Sequence, residues 1–368
     1  MQVPSRFDET CHFWQPEVCH AETAEWLRPI PGPADRRHLG GLATHAARLS
    51  AWTSDLPRGR RPNDPGADAA SATRTYPERV PRLLVSNADN EFVGKLIESL
   101  SSKHEIPINA LGGQDLDLPD VELVTEPGNE THVLLTMPNT DEAAPNAIEL
   151  IDALPGDEHL LFIANNLDPS HEGVIKHIKA SGKHWTIIHP IAMMDFAFAA
   201  LPPQIQLAGV VFGISGRSKV GFVAAGDIMR VLATVITEPG HEHQEYVCSG
   251  PEALDMPTVV AQLGEVLGRE LDYFDLDEDE LKTLMVQYGR QDADMVERLI
   301  FSQLRAWRDG YADIVTDTVE RVTGRAPESV REWFVDHRED YKGGAGLAQK
   351  AAAKLVKARY RGKVLKAD

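Results

Sequence analysis

The sequence predicts an α/β protein: a parallel sheet covered on both faces by helices, with a smaller, mainly helical C-terminal cap domain. Three observations predict it. From Pro81 onward, short apolar runs alternate with amphipathic helical stretches, the pattern of strands buried on both faces. After about Tyr246 those runs give way to helix-length segments, which argues for an appended helical layer. The 368 residues are 42% hydrophobic and 7% aromatic, a composition that supports a sizeable core.

Each element has its own signal. Leu83-Leu84-Val85-Ser86 reads as a first strand, and Glu91 to Ser101 as a helix with Phe92, Leu96, Ile97 and Leu100 on one face. A second strand begins at Ile108, and further strands are expected at Val121-Val124, Val133-Thr136, His159-Ala164, Thr186-His189 and Val210-Phe212. Helices are expected between most of them, at Ala143-Leu154, Glu172-Ala180 and Asp227-Ile236. The cap is expected to hold helices at Met256-Gly268, Glu278-Tyr288, Asp294-Gly310, Asp313-Gly324 and Ser329-Tyr341, laid on the carboxyl ends of the strands. A last helix is expected from Gly346 to Lys366, apolar along Leu347, Ala351, Leu355 and Val356 and basic elsewhere. Such a helix docks on the chain's own acidic body, on a second subunit, or on a membrane surface.

The predicted organisation is therefore an extension over residues 1–80, a sheet domain over 81–245 with returning segments from the later chain, a cap over 246–341, and the basic helix over 342–368. The first 80 residues contain no Lys and are rich in Arg, Pro and Gly, without sustained periodicity, so they read as partly disordered or irregular. A short helix between Leu39 and Trp52 is the exception. Cys11-His12 and Cys19-His20 lie there, but adjacent Cys-His pairs point apart in extended chain, so two ordinary thiols are expected and no metal site.

Charge and cysteine content exclude several classes. With 37 basic against 56 acidic residues the net charge is -19, so nucleic acid is not an expected partner. Three cysteines and no apolar leader predict a reduced, cytoplasmic protein. Apolar runs are too short for an integral membrane association.

Several motifs carry a resemblance. Ala180-Ser181-Gly182-Lys183-His184-Trp185-Thr186-Ile187-Ile188-His189-Pro190, Phe222-Val223-Ala224-Ala225-Gly226-Asp227-Ile228, and Tyr246-Val247-Cys248-Ser249-Gly250-Pro251-Glu252-Ala253-Leu254 occur in order. Leu267-Gly268-Arg269 and Val322-Thr323-Gly324-Arg325-Ala326-Pro327 follow. Over about 260 residues, from Arg82 to about Tyr341, the chain resembles the NmrA-like family of atypical short-chain dehydrogenase/reductases. The resemblance implies a Rossmann-like domain and a small cap forming a cleft.

The chain departs from that family where a dinucleotide would sit. The family's first turn is glycine-rich, and the glycines admit the pyrophosphate. Here the segment reads Ser86-Asn87-Ala88-Asp89-Asn90-Glu91-Phe92-Val93-Gly94. Asn87 and Asn90 replace the first two glycines, Asp89 and Glu91 add negative charge, and only Gly94 remains. At the end of the second strand, where the family often carries an Arg, Gly112-Gly113-Gln114-Asp115 has no base. The resemblance also implies a Lys before the "SG-x-x-[YW]-T" strand, and that position holds His171.

These departures predict an enzyme without a cofactor, with NAD(P) as the alternative, held by Asn87, Asn90, Gly94, Asp115 and Thr136. His171 and His189 are the expected proton-transfer groups, and Asn165 and Asn166 the expected holders of a developing oxyanion. Met137, Met193, Met194, Phe196 and Phe198 are expected to line an apolar pocket for a flat or polycyclic small molecule. Asp195 is expected to cap the next helix or to orient a histidine. The first functional reading is therefore non-redox proton transfer: cyclisation, isomerisation or dehydration. The second is an NAD(P)H-dependent reductase with a drifted turn. The third is a non-catalytic sensor or regulator acting through its appended ends. A homo-oligomer is among the expected partners, since the Arg/Pro-rich extension can wrap a neighbouring subunit.

Overall fold

The computed structural model describes residues 81–86, 91–104, 106–111, 121–137, 140, 142–165, 167–288, 291–342 and 346–367. The extension with its two Cys-His pairs and the expected helix at Leu39 to Trp52, the turn bearing Asn87 and Asn90, and the positions of Asp115 and Asn166 lie outside the described residues.

In chain order, the first part contains β1 (Leu83–Val85), α1 (Glu91–His104), β2 (Ile108–Leu111), β3 (Val121–Val124) and β4 (His132–Leu135). It continues with α2 (Ala143–Ala153), β5 (His159–Ile163), α3 (Pro169–Ala180) and β6 (His184–Pro190). Next come α4 (Met194–Ala197), α5 (Leu201–Ala208), β7 (Val210–Gly213), α6 (Ala225–Thr237) and β8 (Gln244–Cys248). The C-terminal region holds α7 (Met256–Leu267), β9 (Asp272–Asp275), α8 (Glu278–Thr283), α9 (Ser302–Arg308), α10 (Thr318–Thr323), α11 (Val330–Asp336), α12 (Leu347–Arg359) and β10 (Val364–Leu365).

Seven strands form one sheet in the order β8-β6-β5-β4-β1-β2-β3, and every pair in it is parallel. The order reverses between β1 and β4, so β1 and β4 flank the topological switch point. Because side chains alternate along a strand, each strand feeds two cores. Leu83, Val85, Leu134, Leu161 and Ile188 pack against Val93, Leu96 and Leu100 of α1 and Ile228, Val231, Leu232 and Val235 of α6. Leu84, Val133, Leu160, Phe162 and Ile187 pack on the other face against Ala147 and Ile151 of α2 and Val174 and Ile178 of α3. The all-apolar strands that predicted a two-faced sheet are those that fill both layers.

The parallel sheet runs across residue 245, where the sequence reading placed a boundary, because β8 pairs with β6 from Gln244↔Thr186 to Cys248↔Pro190. Beyond it the chain is mainly helical. The expected helix at Glu278–Tyr288 changes to a π-helical turn at Leu284–Tyr288, and a second π-helical stretch spans Val296–Phe301. β7, β9 and β10 make a separate small sheet. The last element is helical only to Arg359. Val364 and Leu365 then pair antiparallel with Phe274 and Tyr273, so the tail docks on the chain's own body.

Candidate active site

In an open parallel sheet the ligand side is the crevice beyond the carboxyl ends of the strands, at the switch point. β1 ends at Val85 beside Leu134 of β4. The two strand ends are then tied by hydroxyls. Thr136 donates its backbone N–H to Ser86 Oγ at 2.9 Å, and Thr136 Oγ1 donates to the Ser86 carbonyl. Ser86 is buried. Thr136, expected as a cofactor contact, thus follows the end of β4 with its backbone N–H and hydroxyl both bound to Ser86.

At the end of β5, the His171 imidazole is buried and packs on Phe162 with ring centroids 5.1 Å apart. Its Nδ1 accepts the backbone N–H of Asn165 at 3.0 Å. An acceptor Nδ1 means a neutral ring with its proton on Nε2. Burial lowers the pKa of His171, with Asp168 opposing, so the neutral form is the folded form. The Asn165 side chain is exposed and accepts from the N–H of Leu167 at 3.1 Å. His171 therefore holds the loop after β5 in shape. His171→Ala leaves the Asn165 N–H without this acceptor, and is expected to cost about 1–3 kcal/mol of stability. Urea unfolding measures that cost. A variant of unchanged midpoint would mean that the ring does not hold the loop.

His189 of β6 is also buried, 3% exposed. Its Nε2 lies 3.5 Å from Glu245 Oε1 of β8, and Lys179 Nζ of α3 lies 2.6 Å from the same oxygen. Lys179 also lies over the Trp185 ring, 5.5 Å from its centroid. The hydrogen bond from His189, with the Lys179 contact, holds the Glu245 carboxyl down at about 2 despite burial. The sequence reading missed Lys179 and Glu245 as partners of His189. They are ordinary charges on a helix and an edge strand until β8 is paired with β6.

The expected pocket residues separate into two groups. Met194 and Phe198 are fully buried in the C-terminal lobe, where Phe198 packs against Phe222, Trp333 and Phe334 at 4.9, 5.5 and 5.0 Å. Their placement is core packing, which corrects the expectation that they line a pocket. Met137 and Met193 are half-buried against the two faces of the sheet, and Phe196 is 52% exposed. These three remain near the carboxyl edge. Asp195 Oδ2 accepts from Ala225 N at 2.9 Å, so it caps α6 rather than the next helix in the chain. At the start of α6, Asp227 is fully buried, pairs with Arg230 at 2.5 Å and accepts from Glu328 N at 2.9 Å. It thereby ties the chain entering α11 to the sheet domain. Gly94 lies half-buried within α1. Among the described residues no cluster of His, Cys, Asp or Glu could hold a metal ion, and no helix is long and apolar enough to cross a membrane.

The strand order and its switch point define a Rossmann-like α/β protein. No family model matches the chain. It is 34% identical over 165 residues to (4-alkanoyl-5-oxo-2,5-dihydrofuran-3-yl)methyl phosphate reductase of Streptomyces griseus, covering 45% of this chain and 57% of that protein. It is 30% identical over 164 residues to the NAD(P)H azoreductase of Xenophilus azovorans, covering 44% and 56%. The chain thus spans a little over half the length of these curated relatives. The NADPH-dependent quinone oxidoreductase of Escherichia coli, solved in complex with NADPH, superposes with a TM-score of 0.61 at 19% identity, over 70% of this chain and 99% of that one. These likenesses agree with the resemblance to the NmrA-like family of atypical short-chain dehydrogenase/reductases carried by the sequence motifs.

These relatives correct two expectations. Cofactor-free proton transfer is overturned as the leading reading, because the relatives are by name reductases and oxidoreductases. The expectation of no cofactor is overturned with it, because one relative is by name an NAD(P)H azoreductase and a structurally similar protein is solved with NADPH. Asn87 and Asn90 were expected to close the turn to a pyrophosphate, and Asp89 and Glu91 to repel it. Asn enters the left-handed conformation more readily than other non-glycine residues, and steric reasoning from residue type alone does not say where its side chain points.

Proposed function

We infer that the chain is an NAD(P)H-dependent reductase that passes hydride to an apolar, conjugated small-molecule acceptor. The observation that carries this reading is the switch point between β1 and β4, where hydrogen bonds tie Thr136 to Ser86. The residues there fit a dinucleotide. The strand ends offer a hydroxyl pair, and α1, 14 residues long, starts after the turn. Helix N–H groups in that position favour a pyrophosphate. Asn87, Asn90 and Gly94 would hold the pyrophosphate, Asp115 the adenine ribose, and Thr136 the neighbouring backbone. Bound there, the nicotinamide supplies the hydride. Met137, Met193 and Phe196 offer apolar surface for a flat acceptor beside it, of the quinone or azo kind that relatives' names report.

Residues 104–120 contain neither Lys nor Arg. A 2′-phosphate placed there would meet Asp115 without a counter-charge. NADH is therefore expected to bind at micromolar levels and roughly tenfold more tightly than NADPH, the scale of one charge-assisted hydrogen bond. Titration calorimetry with both nucleotides, followed by loss of nicotinamide absorbance with a quinone or an azo dye, tests the reading. Absence of binding by either nucleotide sinks it. Tighter NADPH binding removes the role given to Asp115.

A further inference from the structure

The end of the sheet opposite the switch point carries a row of histidines. His132, His159 and His184 stand at the feet of β4, β5 and β6 in direct register. Ring centroids are 5.3 Å apart for His132 and His159, and 6.4 Å for His159 and His184. The row continues into the loop between α6 and β8, where His243 lies 5.5 Å from His184 and edge-on to Trp185 at 5.4 Å. His243 is held at a φ of 57°, a left-handed conformation costly for a non-glycine residue. Its backbone N–H donates to the Trp185 carbonyl at 2.6 Å. His241 shares a hydrogen bond with the Tyr246 hydroxyl at 2.8 Å, and its carbonyl accepts from Thr186 Oγ1 at 2.6 Å. Because that hydroxyl has given its proton to His241, the 2.8 Å contact from His159 Nε2 is a donation from His159. His132 and His159 are buried and stacked, so a proton gained by one ring opposes a proton on the next.

We propose that this row is an acid-sensitive clasp: as its imidazoles take up protons, the loop of residues 238–243 leaves the foot of the sheet while the core stays folded.

The charges around the row do not compensate for protons on His132, His159 and His241. Glu242 faces His132, Glu238 and Glu242 face His241, and Arg321 of α10 opposes protonation of His241. Thr131, Thr186 and Tyr246 complete the polar neighbours. His184 Nδ1 is buried without a hydrogen-bond partner among the described residues. Burial first, then the four neighbouring histidines, hold His159 down at about 3. Burial, against Glu242, holds His132 at about 4. Both lie below the ordinary 6.5, so the closed loop keeps its full stability above about pH 6.5 and loses it progressively as pH falls towards 4 and then 3. The loop is the part that yields, because it is short, already strained at His243 and exposed from Glu238 to Gly240 and at His243.

The proposal is independent of the nucleotide. Amide hydrogen exchange of the full chain at pH 7 and pH 5, corrected for intrinsic exchange and read without ligand, tests it. Opening around His243 to Tyr246 is expected to rise roughly 20-fold per freed ring over that interval, while the amides of β1 stay protected. His159→Gln keeps a donor for Thr186 and is expected to reduce the rise. His243→Asn, whose side chain tolerates the left-handed turn, serves where the first variant does not fold. An equal rise in β1 would mean global unfolding, and unchanged protection at pH 5 would mean protonation without opening. Either result, or variants that keep the wild-type rise, overturns the clasp.

Discussion

Gly250→Ala is expected to destabilise the fold by about 3 kcal/mol or more, the range of overpacking against atoms that cannot yield. A Cβ at this position would lie 2.1 Å from the carbonyl oxygen of Phe222. That oxygen belongs to backbone, in a strand whose Phe222 side chain is fully buried, so no rotamer change relieves the contact. Gly221 is held by the same kind of approach, with its Cβ position 2.0 Å from the Ile314 carbonyl. The two glycines let the Ser249–Gly250 turn and the chain before α10 come close to Phe222. Thr316 N then donates to Ser249 Oγ at 2.8 Å and Thr316 Oγ1 to the Val247 carbonyl at 2.8 Å. Gly173 is the control. It lies exposed in α3 with nothing within 4 Å of its Cβ position, so Gly173→Ala is expected to raise stability by up to about 1 kcal/mol through helix propensity. Urea unfolding of both variants measures the contrast. Two similar midpoints would remove the close approach as the reason for glycine in the Ser249-Gly250-Pro251 motif.

Removal of residues 346–368 is expected to lower stability by more than the loss of Tyr360 alone. Tyr360 is 5% exposed and meets Phe212 and Phe274 edge-on at 5.6 and 6.1 Å. Tyr360→Ala is therefore expected to cost about 3 kcal/mol. The basic residues add a second contribution. Asp272 is nearly buried, and Lys357 and Lys366 grip its two oxygens. Burial alone would raise its pKa, but the two lysines outweigh burial and lower it. This contribution is present above the ordinary carboxylate range and is lost as pH falls below it. Lys363 reaches Asp277 at 3.1 Å and also Glu280, at the start of α8. Because the lysines are partly exposed, about 1 kcal/mol per pair is the appropriate scale, weakened further by salt. Denaturant midpoints of the full chain, Tyr360→Ala and the truncation at low and high salt measure both parts. A truncation as stable as the full chain would mean that the tail is only laid on the body.

The same tail shows what a periodic reading can and cannot see. The apolar positions of residues 347–356 predict the helix, but Val364 and Leu365 continue no helical stripe and were still assigned to it. They form a strand because β9 offers Tyr273 and Phe274 an unfilled edge. β9 itself was not legible, since a four-residue run bounded by Asp272 and Asp275 lacks the apolar character of a central strand. β8 was read as a motif rather than a strand for a related reason: Gln244 and Glu245 begin it, and only pairing with β6 makes it part of the sheet. The π-helical turns at Leu284–Tyr288 and Val296–Phe301 have no sequence signal distinct from an α-helix.

The candidate site divides in the same way. Asn87, Asn90 and Asp115 could be nominated from a motif, whereas the work of His171 follows from Asn165 N–H and Phe162 coming to meet its ring. His189 drew notice as a histidine at a strand end, but its partners come from a helix and a strand far apart in the chain. Met194 and Phe198 carry the same residue types as Met193 and Phe196, and local sequence does not say which side of α4 meets the lobe's core. Local apolar periodicity by itself determined the parallel sheet and its flanking helices, because those depend on which residues must leave water. Tertiary structure alone decided which histidines are propped neutral, which glycines admit a backbone neighbour and where the basic tail lies, because each depends on atoms brought together across long separations.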